Sequence, residues 1–256
     1  MNCKRCRLLQ IKMRYFIQFS YNGTHYHGWQ SQPNAVSVQE TLEKAMSTVL
    51  GMNIALTAAG RTDTGVHAKK MFAHFDASLT AEIPGLVYKL NSFLPKDIAI
   101  IDIIAVHDTA HARFDASSRT YEYYISREKN PFGSDLSWQY SLPLDVDAMN
   151  EAAARLLKHT DFQCFSKVNT DVSTFNCKIT EAYWQEKGNR LVFTISAERF
   201  LRNMVRAIVG TLINIGQGKI SADSMEAIIE SRDRKQAGFS VPAHGLFLTE
   251  IKYKYI

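Results

Sequence analysis

Residues Gly60 to Ala77 read GRTDTGVHAKKMFAHFDA, and the stretch changes character halfway. Its second part, MFAHFDA from Met71 to Ala77, alternates with the period of two that marks a strand. Its first part, Gly60 to Ala68, crowds an arginine, a carboxylate, two hydroxyls and an imidazole around two glycines. A turn needs only the glycines. The loop is too polar for a core and too dense in chemistry for an ordinary solvated connection, so it is a candidate site carried on a sheet.

Upstream, Tyr15, Ile17 and Phe19 alternate from Met13 onward and stop at the turn signal Tyr21-Asn22-Gly23. Ser37 with Glu40 forms a capping box ahead of Leu42, Met46, Val49 and Leu50 at helical spacing, and Gly51 closes that helix. A short strand near Ile54 to Ala58 enters the polar loop. Downstream, Pro84 introduces a helix through Val87 to Phe93, and the β-branched run IAIIDIIAV (Ile98 to Val106) reads as a buried strand. Further on come a strand from about Arg119 to Ser126, a helix from Asp145 to Lys158 and a hairpin from Thr180 to Ala197 that turns at Lys187-Gly188-Asn189. A helix from Phe200 to Ile215, another from Ser221 and a strand from Leu246 to Tyr253 complete the chain. Helices and strands are interspersed, several strands are joined by hairpin turns, and no phosphate-binding glycine fingerprint follows the first strand. The expected fold is α+β, two similar halves of mainly antiparallel sheet backed by helices. Residues 1–12 are expected to be a disordered extension, 13–112 an N-terminal domain with the aspartate loop, and 113–256 a C-terminal domain.

The chain has 256 residues, 46% of them hydrophobic and 21% charged, enough for a sizeable core. No window has the uninterrupted apolar length that spans a bilayer, so no membrane partner is expected. A formal charge of +5 permits an RNA ligand without requiring one. Arrangement says more: Arg199, Arg202 and Arg206 cluster, as do Arg113 and Arg119, each group among aromatic or apolar residues that suit bases and phosphates together. Cys3 and Cys6 make a single C-x-x-C with no second pair to complete a zinc tetrad. With no secretory signal pattern, the expectation is a cytoplasmic protein with reduced thiols.

Asp63 sits between Arg61 and a glycine, where a carboxylate either caps a turn or projects into a cleft as a nucleophile or base. In RTYEYY (119–124) strand alternation puts Arg119, Tyr121 and Tyr123 on one face; they pack, or they offer a base-stacking ring beside a cation. In RFLRNMVRAIVG (199–210) the helical reading puts Arg202 and Arg206 four apart on one face, as rim residues or as an anion clamp. His25, His27, His67 and His74 suggest a metal, but no third ligand stands at a recognisable spacing; hydrogen bonding to loop backbone or to RNA phosphate is the expected use of these rings. A second carboxylate, Asp76, leaves room for a glycoside hydrolase, and the basic and aromatic residues alone would serve a non-catalytic RNA-binding module.

Seven segments in order, YNGTHYHGWQ, SVQETLE, GRTDTGVHA, LNSFLPKDI, HARFDASSRTYEYYI, FLRNMVRAIVGTL and PAHGLFL, resemble the tRNA pseudouridine synthase A family from Met13 nearly to the end. Thr64 departs from the family's usual alanine. The resemblance implies the pseudouridine synthase fold with its active cleft between the two halves. It implies isomerisation of uridine to pseudouridine at positions 38, 39 and 40 of the tRNA anticodon stem-loop, without metal or other cofactor, by a homodimer. It assigns the essential aspartate to Asp63, a base-stacking and proton-relaying tyrosine to Tyr121, and the arginine that pairs with the aspartate to Arg206. Arg61 resembles the residue that replaces the displaced nucleotide, and Leu246 the one that packs against uracil. With these we group Arg119, Arg202 and His67 as expected substrate contacts.

Overall fold

The computed structural model describes residues 12–79, 82–167 and 173–256. Cys3, Cys6 and the expected disordered extension, Lys12 apart, lie outside the described residues. Among the described residues nine strands, β1 (Met13–Tyr21), β2 (Thr57–Ala58), β3 (His67–Ala77), β4 (Ile98–Val106), β5 (Ser118–Ser126), β6 (Trp138–Gln139), β7 (Ile179–Lys187), β8 (Arg190–Ala197) and β9 (Leu246–Lys252), form one sheet in the order β4-β1-β3-β9-β5-β8-β7, with β2 added to β3 and β6 to β5. Every pairing is antiparallel except β3 with β9 and β5 with β6. With five α-helices the architecture is the expected α+β.

The first half is built on β1 (Met13–Tyr21), flanked by β3 (His67–Ala77) and β4 (Ile98–Val106). Phe19 faces Met71 while Tyr21 faces Ala68, so β3 carries one extra residue at Lys69-Lys70. This bulge keeps Ala68, Met71, Ala73 and Phe75 on one side despite an odd spacing, which alternation alone would forbid. β4 corrects the expectation of a buried strand: Ile98, Ile100 and Ile103 are buried, whereas Ala99, Ile101 and Asp102 are exposed. It is the outermost strand of the sheet, paired only with β1, and one of its faces meets water. Helices α1 (Val38–Leu50) and α2 (Ile83–Phe93) bring Leu42, Met46, Leu86 and Leu90 into the same core. The capping box is present in part, with the Ser37 hydroxyl accepting from the Glu40 N–H, and Gly51 ends α1 in the left-handed conformation at φ 67°.

The second half is carried by β5 (Ser118–Ser126), the hairpin β7 (Ile179–Lys187) and β8 (Arg190–Ala197), and helices α3 (Val146–Arg155), α4 (Met204–Gly216) and α5 (Ser224–Ser231). Its core joins Tyr123, Phe193 and Ile195 to Met149, Ile208 and Leu212. Two short strands, β2 (Thr57–Ala58) and β6 (Trp138–Gln139), extend the sheet locally. The last strand, β9 (Leu246–Lys252), returns between β3 and β5. It meets β3 only at His67 with Phe247 and Ala68 with Leu248, while β2 pairs with Thr57 opposite His74 further along β3. The two half-sheets therefore join over a seam two residues long and then diverge. Tyr121 packs against both cores at that divergence.

α4 begins at Met204, not at Phe200 as expected. Asn203 is left-handed at φ 66°, a conformation asparagine tolerates but a helix does not continue through. Its amide donates to Ser240 Oγ at 2.6 Å, which fixes the break. Arg202 thus lies in the turn before the helix, and the expected shared helical face with Arg206 does not form.

The segment 237–241 crosses α4 at close range. A Cβ on Gly210 would lie 1.8 Å from the Phe239 carbonyl oxygen, and one on Gly238 within 2.7 Å of Gly210 backbone. Backbone cannot yield as a flexible side chain can. We expect Gly210→Ala to lower stability by about 3 kcal/mol, read as a shifted midpoint in urea unfolding. A variant as stable as the parent would show that the crossing is not a constraint.

Candidate active site

The polar loop is held from behind by the segment that follows β1. Thr62 is buried: its hydroxyl meets the Tyr21 hydroxyl at 2.7 Å and its carbonyl accepts the Trp29 N–H at 3.2 Å. Tyr26 O accepts the Gly65 N–H at 3.3 Å, and the Val66 N–H closes a turn onto Asp63 O at 3.1 Å, with Gly65 supplying the positive φ of 75°. Gly28, at φ 88°, presses on the loop; a Cβ there would lie 2.5 Å from Thr62 O and 3.1 Å from the Asp63 carbonyl carbon. The YNGTHYHGWQ segment is therefore the backing of the loop. Its signal was two glycines spaced five apart among aromatics, a pattern that suits close backbone approach.

On the outer side the Asp63 carboxylate, 28% exposed, lies 3.5 Å from Arg202 Nε. Arg202 is 60% exposed, so this is a rim ion pair, of a kind worth about 1 kcal/mol at most. The expected partner, Arg206, instead donates through Nε to Val241 O at 2.7 Å, while its own carbonyl accepts the Val241 N–H at 3.3 Å. The reason is the break at Asn203, which swings Arg202 off the helix and leaves Arg206 within it. Tyr121 stands on β5 with its ring edge-on to Phe200 at 5.2 Å. Burial pushes its hydroxyl up to about 12, Arg119 pulls the other way, and the Asp63 charge adds to the rise. Tyr121 therefore keeps its proton at neutral pH and stands close enough to feel the aspartate.

Three of the expected substrate contacts are occupied within the fold. Arg119 gives its guanidinium to the carbonyls of Ala59, Arg113, Ala116 and Glu198. His67 is 1% exposed and stacks on Phe247 at 4.4 Å. Its Nδ1 accepts the Gly23 N–H at 3.0 Å, so Nε2 carries the proton and donates to His244 O at 3.0 Å. Leu246, 6% exposed, belongs to the second core opposite Tyr123 on β5. Arg61 is exposed beside Thr62 and Asp63.

The four histidines do not converge. His25 and His27 are exposed, His67 is inside, and His74 accepts the Ala112 N–H at 3.2 Å. Among the described residues no three His, Cys, Asp or Glu side chains are grouped to hold a metal ion. Asp76 lies far along β3 and is bound to Arg14 at 2.8 and 2.9 Å. Nine residues of strand from His67 to Asp76 span roughly 30 Å, well beyond the separation of roughly 5 to 9.5 Å that a carboxylate pair needs to cleave a glycosidic bond. The two-carboxylate hydrolase is thereby excluded.

A carboxylate on a clamped loop, a protonated tyrosine on β5 and a rim of arginines thus stand together on a mostly antiparallel α+β sheet. Residues 17–115 and 152–254 match the tRNA pseudouridine synthase family. A protein from Porphyromonas gingivalis called tRNA pseudouridine synthase A is 52% identical over 244 residues, covering 94% of this chain and 97% of its own length. Proteins of the same name from Bacteroides fragilis and Parabacteroides distasonis are 51% and 49% identical, again over 94% of this chain and 96% of theirs. The chain belongs to the tRNA pseudouridine synthase family, whose reaction isomerises uridine in tRNA.

Gly28→Ala adds a methyl group against the loop backbone at a φ that L-residues rarely adopt. A displacement near 1 Å at a reacting group costs about a hundredfold in rate. We expect at least a tenfold fall in kcat, read as tritium release from tRNA labelled at uridine C5, with tRNA affinity retained.

Acid should destabilise the fold through two histidines. Burial holds the folded-state pKa of His67 below 6.5, and burial with the charges of His111 and Arg14 holds that of His74 down at about 4. As pH falls the unfolded chain binds these protons first, so stability is full above about pH 6.5 and declines toward pH 4, by up to about 1.4 kcal/mol per pH unit for each group. Asp76 and Asp115, held below the usual 3.8, act only under that window. Urea midpoints should hold level from pH 7.5 to about 6.5 and then fall down to pH 4.5, and His74→Gln should flatten that fall; a profile level throughout contradicts the assignment.

Proposed function

We propose that the enzyme converts uridine to pseudouridine at positions 38, 39 and 40 of the tRNA anticodon stem-loop, with Asp63 as its catalytic carboxylate. The observation that carries this is the Asp63 carboxylate itself, turned outward from a loop whose backbone is fixed on its inner side, beside Tyr121 and 3.5 Å from Arg202. The target base cannot react while stacked, so it leaves the RNA helix and enters the cleft. There the N1–C1′ bond breaks, the uracil turns, C5 joins C1′ and the C5 proton leaves as N1 gains one. Asp63 acts on the sugar, by attack at C1′ or by removing the C2′ proton, and both routes need an ionised, oriented oxygen.

Tyr121 lies under the base and relays the C5 proton through a hydroxyl that stays protonated at neutral pH. Arg61, exposed beside the loop, fills the gap left by the flipped nucleotide. Leu246 walls the uracil. Arg206, anchored at Nε, offers its remaining donors to the substrate, and Arg202 holds the carboxylate before RNA arrives. The reaction needs no cofactor, since the uracil that leaves is recaptured. We propose further that the enzyme works in the cytoplasm as a homodimer; the buried free thiols of Cys164 and Cys177 suit a reducing compartment. Among the described residues no helix is long and apolar enough to cross a membrane. The proposed division into 13–112 and 113–256 follows the two cores in outline only: they share Tyr121, Ala116, Leu248, Ile251 and Tyr253 pack in the first, and Val66 packs in the second.

Asp63→Asn should bind unmodified tRNA transcripts with near-parental affinity, since phosphate contacts survive, and should form almost no product. Position-resolved pseudouridine mapping of transcripts treated with the parent enzyme should mark 38, 39 and 40. Substantial turnover by the asparagine variant ends the catalytic assignment, and product elsewhere ends the positional one.

A further inference from the structure

We propose that Arg119 is a positioning residue, which sets Asp63, Arg202 and Tyr121 relative to one another by holding backbone carbonyls. Its Nη2 donates to Ala59 O at 3.0 Å and Arg113 O at 2.6 Å, and its Nη1 to Ala116 O at 3.0 Å and Glu198 O at 2.5 Å. Ala59 stands four residues before Asp63, just after β2. Glu198 stands four residues before Arg202, just after β8. Arg119 itself is two residues before Tyr121 on the same face of β5. One planar cation therefore touches the chain leading to each partner of the rim ion pair and grows from the strand that bears the tyrosine.

The chemistry suits position more than stability. Burial lowers the Arg119 pKa from the usual arginine value, and the neighbouring charges of Arg113 and Arg199 act in the same direction. Among the described residues no carboxylate pairs with it. A cation so placed persists because four carbonyl dipoles replace its hydration. The rigid fork of the guanidinium holds those four carbonyls at fixed separations, which the rotatable ammonium of lysine does not. Ala59 and Glu198, each one residue past the end of a paired strand, also donate one backbone bond apiece, Ala59 N–H to Phe72 O at 2.8 Å and Glu198 N–H to Lys178 O at 3.3 Å.

The proposal rests on Asp63 being the catalytic carboxylate. Arg119→Lys and Arg119→Ala, assayed on unmodified tRNA transcripts, separate position from the alternatives. For Arg119→Lys we expect kcat to fall about a hundredfold, with KM for tRNA and Tm close to the parent's. Methylguanidinium at millimolar concentration should restore kcat at least tenfold in Arg119→Ala and leave Asp63→Asn inert. A raised KM with kcat intact means that Arg119 contacts RNA, and a loss of kcat that tracks Tm without guanidinium rescue means that it serves only stability; either result overturns the proposal. Should the alanine variant not fold, the kcat and KM of the lysine variant decide alone. If Asp63→Asn is inactive while Arg119→Lys keeps its kcat, the positioning role fails and the catalytic reading stands. If Asp63→Asn turns over, that reading fails first.

Discussion

One imidazole ring ties the two half-sheets at the seam where they pair. The two half-sheets join through only two residue pairs, and one of these is His67 with Phe247. The His67 ring stacks on the Phe247 ring, accepts a hydrogen bond from the Gly23 N–H and donates one to His244 O. It thereby ties the segment behind the aspartate loop to the segment leading into β9. Buried polar atoms must be satisfied or they cost more than they return, and here both nitrogens are used by the neutral ring in one tautomer. The ring reinforces a seam that Leu248, Ile251 and Tyr253 also span by packing into the first core.

From that tie the site takes its shape. His67 ends the polar loop, so the loop is fixed where it joins β3, while Gly23, Tyr26, Gly28 and Trp29 fix its middle and Arg119 its entry. Beyond the seam, β9 leaves β3, and Tyr121 lies where the two cores face each other. On the far flank the 241–246 segment holds Arg206 by Val241 O, the Tyr123 hydroxyl by Pro242 O at 2.9 Å and His67 by His244 O. Nearly all of these ties run through backbone atoms, which explains why glycines recur around the loop and why most of its neighbours carry no charge of their own.

Much of this was legible from residue patterns. Alternation located most of the strands, the capping box located α1, and the density of functional groups in GRTDTGVHA located the loop. What was hidden has a common cause: it depends on residues distant in sequence. The bulge at Lys69-Lys70 exists only in relation to β1. The exposed face of β4 follows from its place as the outermost strand, which its apolar run does not disclose. The break at Asn203 depends on Ser240, and without it 3.6-residue periodicity carries the helix back to Phe200 and sets Arg202 and Arg206 on one helical face. His67 reads as bonding either loop backbone or RNA phosphate, of which the fold uses the first, and Arg119 reads as a substrate contact, because a polar side chain in a basic segment gives no sign of which backbone groups will surround it.

The same division explains how a rigid site can still admit a large anion. The backbone of the loop is tied at its entry, its middle and its end, and those ties are buried or half-buried, where exchange for water is expensive. The charges at the mouth are otherwise: Arg202 is more exposed than buried, and its pairing with Asp63 is worth no more than one contact with a phosphate oxygen. On the proposed reading an incoming RNA draws Arg202 onto its backbone at little cost, and Asp63 is left to face the sugar without any movement of the loop that carries it. Had the ion pair been buried, breaking it would have cost several kcal/mol at the moment of binding. Geometry is held by carbonyls and glycines, and charge is left free to change partners.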